Sequence, residues 1–476
     1  MEDQTTEIND CTQGTEQQEA IHEEHPHEEH PHEEHPHEEH PHEDHIHTEH
    51  HHHSSHSEHH HHSRHKHHRH RRHKHSSSKK KNPVLRFWKK NRSVIINIAS
   101  CTVSVVLLLL LALSIDSKKQ EDIRGHYTDI TKSTVKVETS LYYGKIPLVH
   151  EAVLQYMDPS NTQTATKFYQ DFDGHKFPLN TGKTVSFQYE VTGLPTGTQV
   201  KSAVLELSEH EDYRDPEIYN LNLDDTTLEL DFLKTGTKYY YRVLLELNNA
   251  NTIGTTGTFE TQASPRILSI DGITNVRDLG GWQVADGRTI KQGLIYRGTE
   301  LDGAVEADYC LTERGLQQMT EELGIRFDMD LRAKGPNHLD ALGTDVTHKY
   351  YAVAMYYAIL DNQEQLRELF SDLAEPENYP VYIHCTYGRD RTGSVCYLLE
   401  ALLGVSDSDL EREYSLTAFT NSYINLPELN ALIERISMFS GNTTQEKVEG
   451  YLLSIGVTPQ QIASIREILL TPNANS

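Results

Sequence analysis

Cysteine is scarce in this 476-residue chain: Cys11, Cys101, Cys310, Cys385 and Cys396 are the five, an odd count with no Cys-x-x-Cys pair. That excludes a disulfide framework or a zinc ribbon as the basis of the fold, and leaves a chain that largely avoids disulfides, with one thiol kept for chemistry. Residues 1–60 have no Lys or Arg against eighteen Asp and Glu, and residues 64–92 have no acid against thirteen Lys and Arg. The first 92 residues therefore carry −5 of the formal net charge of −27, and the remaining −22 falls beyond them. So acidic a globular part is unsuited to nucleic acid as a partner. Long apolar runs are also missing, with one exception.

That exception is Val94 to Ile115, 22 residues without a charge and with five consecutive leucines from Leu107. At about 1.5 Å per residue the run spans roughly 33 Å, enough for a bilayer core. Ala112-Leu113-Ser114 is a poor signal-peptide cleavage site, so the expectation is a retained transmembrane helix over 94–115. Lys79 to Lys81, Arg86, Lys89, Lys90 and Arg92 crowd its N-terminal side, with Phe87 and Trp88 as interfacial anchors, whereas the charges after Asp116 cancel. Excess Lys and Arg stays inside. This places the N-terminus in the cytoplasm and the rest of a single-pass cell-membrane protein outside. Residues 83–93 form the basic juxtamembrane segment; the basic run from Arg64 to Arg92 is also suited to anionic lipid.

Residues 1–82 hold 26 of the 33 histidines, with prolines every five residues from Pro26 to Pro41. Such a tail has too little apolar surface to offset ordering and is expected to be disordered. Its imidazoles suit weak, many-site binding of Zn, Ni or Cu, or pH buffering alone.

After a linker (116–142), residues 143–262 read as strands. Lys183 to Val191 alternates, as do Val204 to Leu207, Thr227 to Leu230 and Tyr239 to Leu247, with Gly, Pro, Asn and Asp clusters between them. The pattern predicts a β-sandwich. Leu233 to Val243 and Gly257 to Thr261 resemble the last strands of a fibronectin type III domain, with Tyr239 as its tyrosine corner. Residues 265–476 alternate strand and helix: a helix capped by Thr312 and ended by Gly324, a strand through Asp330, a helix over Gln363–Leu373, a strand into Cys385, and a helix over Thr392–Leu403. That alternation implies an α/β sheet with helices on both sides.

The richest segment is His384-Cys385-Thr386-Tyr387-Gly388-Arg389-Asp390-Arg391-Thr392-Gly393. The apolar Pro380 to Ile383 precedes it and an apolar helical pattern follows. A loop between strand and helix turns its free N–H groups toward one point, where a phosphate dianion can sit. Helix N-termini and nearby cations favour thiolate, making Cys385 the candidate nucleophile. Arg391 can clamp two phosphoryl oxygens in a planar fork.

These residues resemble the Cys-x5-Arg loop of the protein tyrosine phosphatase superfamily. Asn275 to Gly281, Gly293 to Gly298 and Asp330-Leu331-Arg332 look like the ordered blocks of its bacterial, MptpB-like branch, tyrosine phosphatase family 3, which usually has lysine where Arg389 stands. The resemblance implies a two-step phosphomonoesterase. Cys385 takes the phosphoryl group, and Thr386, Tyr387, Gly388, Arg389, Asp390 and Arg391 cradle it. Thr392 stabilises the cysteine as leaving group, His384 orients the loop, and Asn275, Arg277 and Asp278 brace it from behind. The general acid is Asp330 or Asp390, with Asp330 slightly favoured. No metal ligands cluster here and no cofactor is expected. The implied substrate is a phosphotyrosine protein, with phosphoserine, phosphothreonine or phosphoinositide as alternatives. A surface adhesion or metal-handling protein with an inert phosphatase fold is the rival from another class.

Overall fold

Tyr189, Phe187 and Val185 point to one face of their strand and Ser186, Gln188 and Glu190 to the other, and that alternation recurs through the first half of the fold. The computed structural model describes residues 127–129, 135–141, 144–171, 181–248, 251–335, 338–354, 356–420 and 426–472. The expected tail, juxtamembrane segment and transmembrane helix lie outside them. Among the described residues no helix is long and apolar enough to cross a membrane.

Nine strands form two sheets: β1 (Tyr127–Asp129), β2 (Lys136–Ser140), β3 (Lys145–Ile146), β4 (Val185–Thr192), β5 (Val200–Ser208), β6 (Glu217–Asn220), β7 (Thr227–Leu230), β8 (Lys238–Leu247) and β9 (Asn251–Thr261). One sheet runs β1-β9-β8-β5-β6, with β3 also on β9; the other runs β2-β4-β7. Phe187, Tyr189 and Leu230 from one and Leu205, Leu207, Val243 and Leu245 from the other share one core. The hydroxyl of Tyr239 accepts a hydrogen bond from the Lys234 N–H at 2.7 Å, and its ring stacks on Phe259. Strand pairing begins upstream of residue 143, because β1 and β2 already pair with β9 and β4.

Between β3 and β4 the chain leaves the sandwich. Helices Glu151–Met157 and Ala165–Asp171 place Ala152, Val153, Tyr156 and Ala165, with Val149, in the core of the second domain. Tyr156 and Phe168 lie against Phe419, and Arg412 Nη1 donates to the Met157 carbonyl at 2.9 Å.

The second sheet comprises β10 (Arg266–Ile267), β11 (Arg277–Asp278), β12 (Ile295–Gly298), β13 (Phe327–Asp330), β14 (Thr347–Tyr350) and β15 (Val381–His384), in the order β10-β11-β12-β15-β13-β14. From β12 to β14 the neighbours are parallel. Helices follow these strands, as the alternation requires. All four residues of β15 are buried, which suits an apolar central strand. Gly298 and Asp330 both register with His384, so three strands end at one level, where open α/β sheets place their sites. The helix Asp390–Leu403 leaves this edge and runs through the core, buried around its circumference and mostly apolar from Val395 onward. Gly404, at φ +97°, ends it.

The sandwich and this domain meet at Arg266. Its guanidinium donates to the Phe232 and Leu233 carbonyls and pairs with Asp278 at 2.6 Å. Thr235 and Gln292 exchange two bonds of 2.9 Å nearby.

Candidate active site

Cys385 follows β15 directly and is 3% exposed, on the wall of a cavity of about 410 Å³. Thr386, Tyr387, Arg389, Asp390 and Arg391 line the same cavity, joined by Val305, Arg332, Ala333 and His338. The loop owes its shape to bonds from behind. Glu300 N–H donates to the Thr386 carbonyl at 3.0 Å, Asn275 Nδ2 to the carbonyls of Tyr387 and Gly388 at 3.1 and 3.2 Å, and Arg297 Nη2 to Gly388 at 2.5 Å. In a trans peptide the N–H points opposite to the carbonyl. Three carbonyls drawn outward therefore turn three N–H groups inward, which makes an anion-binding concavity. Gly388 is required at its place: φ is +61°, and a Cβ would lie 2.2 Å from the Gly298 carbonyl oxygen.

Asn275 bonds the loop directly, and Arg277 reaches it through Asn275. Arg277 donates to Asn275 Oδ1 at 2.6 Å and to Glu413 at 2.5 Å, and Glu413 also holds Arg297 at 2.8 Å. Burial disfavours the Glu413 charge, but the two guanidinium groups outweigh it and lower the pKa. Burial, followed by the charge of Glu413, pushes the neighbouring Glu400 well above the carboxylate range. Asp278 does not face the loop. It accepts from the N–H groups of Gly280 and Gly293 and pairs with Arg266, bracing the junction with the sandwich.

The two acid candidates occupy different places. Asp330 is fully buried and absent from the cavity wall. It accepts from the Arg332 N–H at 2.8 Å and its guanidinium at 2.7 Å, while Arg332 also holds Glu300 and Asp302. Asp390 lines the cavity; its Oδ2 accepts from Arg389 at 3.0 Å, and its Oδ1 is buried without a hydrogen-bond partner. Arg389 also lies 5.4 Å from the centre of the Tyr387 ring, whose hydroxyl donates to Glu306 at 3.0 Å. Arg391 has no acidic partner among the described residues. Thr392 is fully buried, with Oγ1 unpartnered.

His384 lies beneath the loop, 2.9 Å from Asp328 and 3.9 Å from Asp330. Burial works against its charge, yet Asp330 and Asp328 prevail and raise its pKa to about 9. Cys385 and Cys396 are free thiols; burial pushes Cys396 up to about 12, while Cys310 is disulfide-bonded, in a chain expected largely to avoid disulfides.

Residues 268–471 match the model of the tyrosine phosphatase family. A Cupriavidus necator protein that bears the name tyrosine-protein phosphatase is 30% identical over 190 residues, which is 33% of this chain and 65% of that one. A tyrosine-protein phosphatase of Nostoc commune is 26% identical over 150 residues, 24% of this chain and 50% of the relative. This region of the chain belongs to the tyrosine phosphatase family. The chain thus spans about two thirds and one half of the lengths of these relatives. Among solved structures, the core catalytic domain of the PP-IP phosphatase SIW14 from S. cerevisiae, in complex with citrate, is similar at 17% identity and TM-score 0.23, covering 38% of this chain and 86% of that chain. The sixth fibronectin type III domain of a human protein, fibronectin type III domain containing protein 3, is similar at 19% identity and TM-score 0.15, covering 18% and 79%.

In this tyrosine phosphatase family domain, Arg297, Glu413, Arg332 and His338 are functional-site residues that the motif reading passed over. Arg297 and Arg332 stand inside blocks quoted for the resemblance, so the signal was there. Glu413 and His338 lie in no motif. Burial lowers the pKa of His338, as does the charge of Arg332.

Proposed function

We propose that this chain is a membrane-anchored phosphomonoesterase that works through a phosphocysteine intermediate, with phosphotyrosine protein as its substrate. The observation that carries the reading is Cys385 on the wall of a cavity whose loop has its Thr386, Tyr387 and Gly388 carbonyls bound from outside, with Arg391 beside it free of any described acid. Cys385 attacks phosphorus while Asp390 protonates the leaving oxygen; Asp390 then takes a proton from the water that cleaves the thiophosphate. Arg391 and the inward N–H groups hold the phosphoryl oxygens throughout, and Thr392 supports the departing sulfur. We assign Asp330 to holding Arg332 and stabilising the charge of His384, since its oxygens already serve those groups.

A single phosphoryl group suits the charges around the cavity. Arg389 is held by Asp390, and Arg332 by three carboxylates. That supports a phosphotyrosine side chain between Tyr387 and Val305 over a polyphosphorylated inositol. The uncharged run 94–115 and its flanking cations support an outward-facing catalytic domain at the cell membrane. The sandwich, read as fibronectin type III-like, serves as spacer, and the histidine tail as a weak binder of Zn, Ni or Cu.

Replacing Cys385 by serine is expected to abolish phosphate release from phosphotyrosine peptides; undiminished release would sink the mechanism. Intact cells are expected to hydrolyse a membrane-impermeant aryl phosphate. Activity that emerges only after lysis would reverse the topology.

A further inference from the structure

The carboxylate that faces His384 has a second histidine behind it. Asp328 on β13 and His348 on β14 are register partners in neighbouring strands, and neither lines the cavity. Asp328 is 2% exposed and the His348 side chain 10%. His348 Nδ1 and Asp328 Oδ2 share a hydrogen bond of 2.7 Å, the one hydrogen bond to the Asp328 side chain among the described residues. Asp328 Oδ1 lies 2.9 Å from His384 Nε2 as an ion pair, and neither of those two atoms has a hydrogen-bond partner. Opposite charges attract without fixing an angle, whereas a hydrogen bond is directional. The orientation of the Asp328 carboxylate therefore comes from His348.

Burial works against the charge of Asp328, but His384 and His348 outweigh it and hold the carboxyl well below its usual range. An ionised carboxylate only accepts, so His348 Nδ1 carries a proton whether its ring is charged or neutral. His348 Nε2 has no hydrogen-bond partner, and the exposed Asp340 stands 3.9 Å from it. On the far side, His384 Nδ1 lies 3.4 Å from the Cys385 carbonyl oxygen, and a carbonyl also only accepts. His384 is buried and absent from the cavity wall, so the Cys385 carbonyl is drawn away from the cavity. In a trans peptide the next N–H, that of Thr386, then points the opposite way, into the cradle. It joins the three N–H groups turned inward by the bound carbonyls of Thr386, Tyr387 and Gly388.

We propose that His348 is a positioning residue for phosphoryl transfer: it orients Asp328, which seats the His384 imidazole, which holds the Cys385 carbonyl so that the Thr386 N–H faces the phosphoryl oxygens. The proposal rests on the reading of this loop as a phosphate cradle. Asp330, 3.9 Å from His384 Nε2, cannot take over the seating, because Arg332 occupies both of its oxygens. His348 touches neither loop nor substrate. It acts across two strand boundaries, from β14 through β13 to β15.

Asparagine and leucine have nearly the same shape and differ in the donor, and the Asn Nδ2 stands on the same carbon as the His Nδ1 it would replace. In the full-length protein, inorganic phosphate is expected to inhibit hydrolysis of 4-nitrophenyl phosphate competitively. His348→Leu is expected to raise the phosphate inhibition constant about tenfold and to lower kcat/KM by a similar factor. His348→Asn is expected to stay within about threefold of wild type in both, because it still donates to Asp328. Assays are run well below the melting temperature of each variant. A role in stability alone would lower the melting temperatures without separating the two inhibition constants. Asp328→Asn breaks the bridge at its middle and carries the test should His348→Leu not fold; it too is expected to raise the constant about tenfold. Equal constants for His348→Leu and His348→Asn, or an unchanged constant in Asp328→Asn, would overturn the proposal. If phosphate does not compete in the wild type, the reading of the loop as a cradle fails instead.

Discussion

His384 keeps a positive charge in full burial because Asp328 and Asp330 lie against it. Its folded pKa of about 9 stands above the ordinary value of 6.5, so the charged form stabilises the fold. The contribution is complete below about pH 6.5 and is lost as the pH rises through about 9. At 1.36 kcal/mol per unit it amounts to about 3 kcal/mol. His348, 2.7 Å from Asp328, is raised by the same carboxylate and adds an effect of the same sign. Thermal melts from pH 6 to 10 are expected to show wild type losing stability across that window and His384→Gln having a flatter profile. Identical slopes would remove His384 as the source. At this scale Cys385 and Arg391 were legible from their six-residue spacing, since the chemistry fixes both residue types. The choice between Asp330 and Asp390 was not legible. Each aspartate lies close to an arginine in the sequence, and only the fold shows that Arg332 takes up both oxygens of Asp330 whereas Arg389 leaves one oxygen of Asp390 without a partner.

The phosphate-binding loop is a turn that depends on one residue having no side chain. Gly388 combines φ +61° with a 2.2 Å approach to the Gly298 carbonyl oxygen, so Gly388→Ala must move backbone against backbone. We expect it to lower stability by about 2 kcal/mol or more and phosphate release at least about a hundredfold. Paired melts and steady-state assays check this, and near-normal activity would show that the loop tolerates a different path. Strand β15 and the helix after it were readable as elements, because an apolar run, a glycine-bearing loop and a second apolar pattern follow in order. Observed limits of Asp390–Leu403 and Gln363–Asp372 differ from the expected ones by only one or two residues at an end. The network behind the loop was not readable. Arg277 and Arg297 meet Glu413 across 136 and 116 residues, and no local periodicity marks so distant a pairing.

Across the whole molecule, the boundary near residue 265 separates two kinds of sheet but not two independent cores. Helices of seven residues are too short to show an amphipathic period, so the excursion between β3 and β4 was hidden in a stretch that reads as sandwich. Its Val149, Ala152, Val153, Tyr156 and Ala165 belong to the core around Phe419. Burying side chains of the larger kinds contributes about 1.5–3 kcal/mol each. A protein beginning at residue 265 is therefore expected to melt well below one beginning at residue 120 and to bind a hydrophobic dye. Calorimetry of the longer form is expected to give one transition. Two separate transitions, or equal stability of the shorter form, would show the domains to be uncoupled.

The same excursion limits what recombination can do with this gene. A catalytic unit whose interior borrows side chains from the module before it cannot be shuffled as a cassette, since any graft cut at the family boundary leaves an apolar wound beside the segment carrying Arg412 and Glu413. The two modules must be inherited together, and a mutation on one of the borrowed helices is answerable to the chemistry of the other domain.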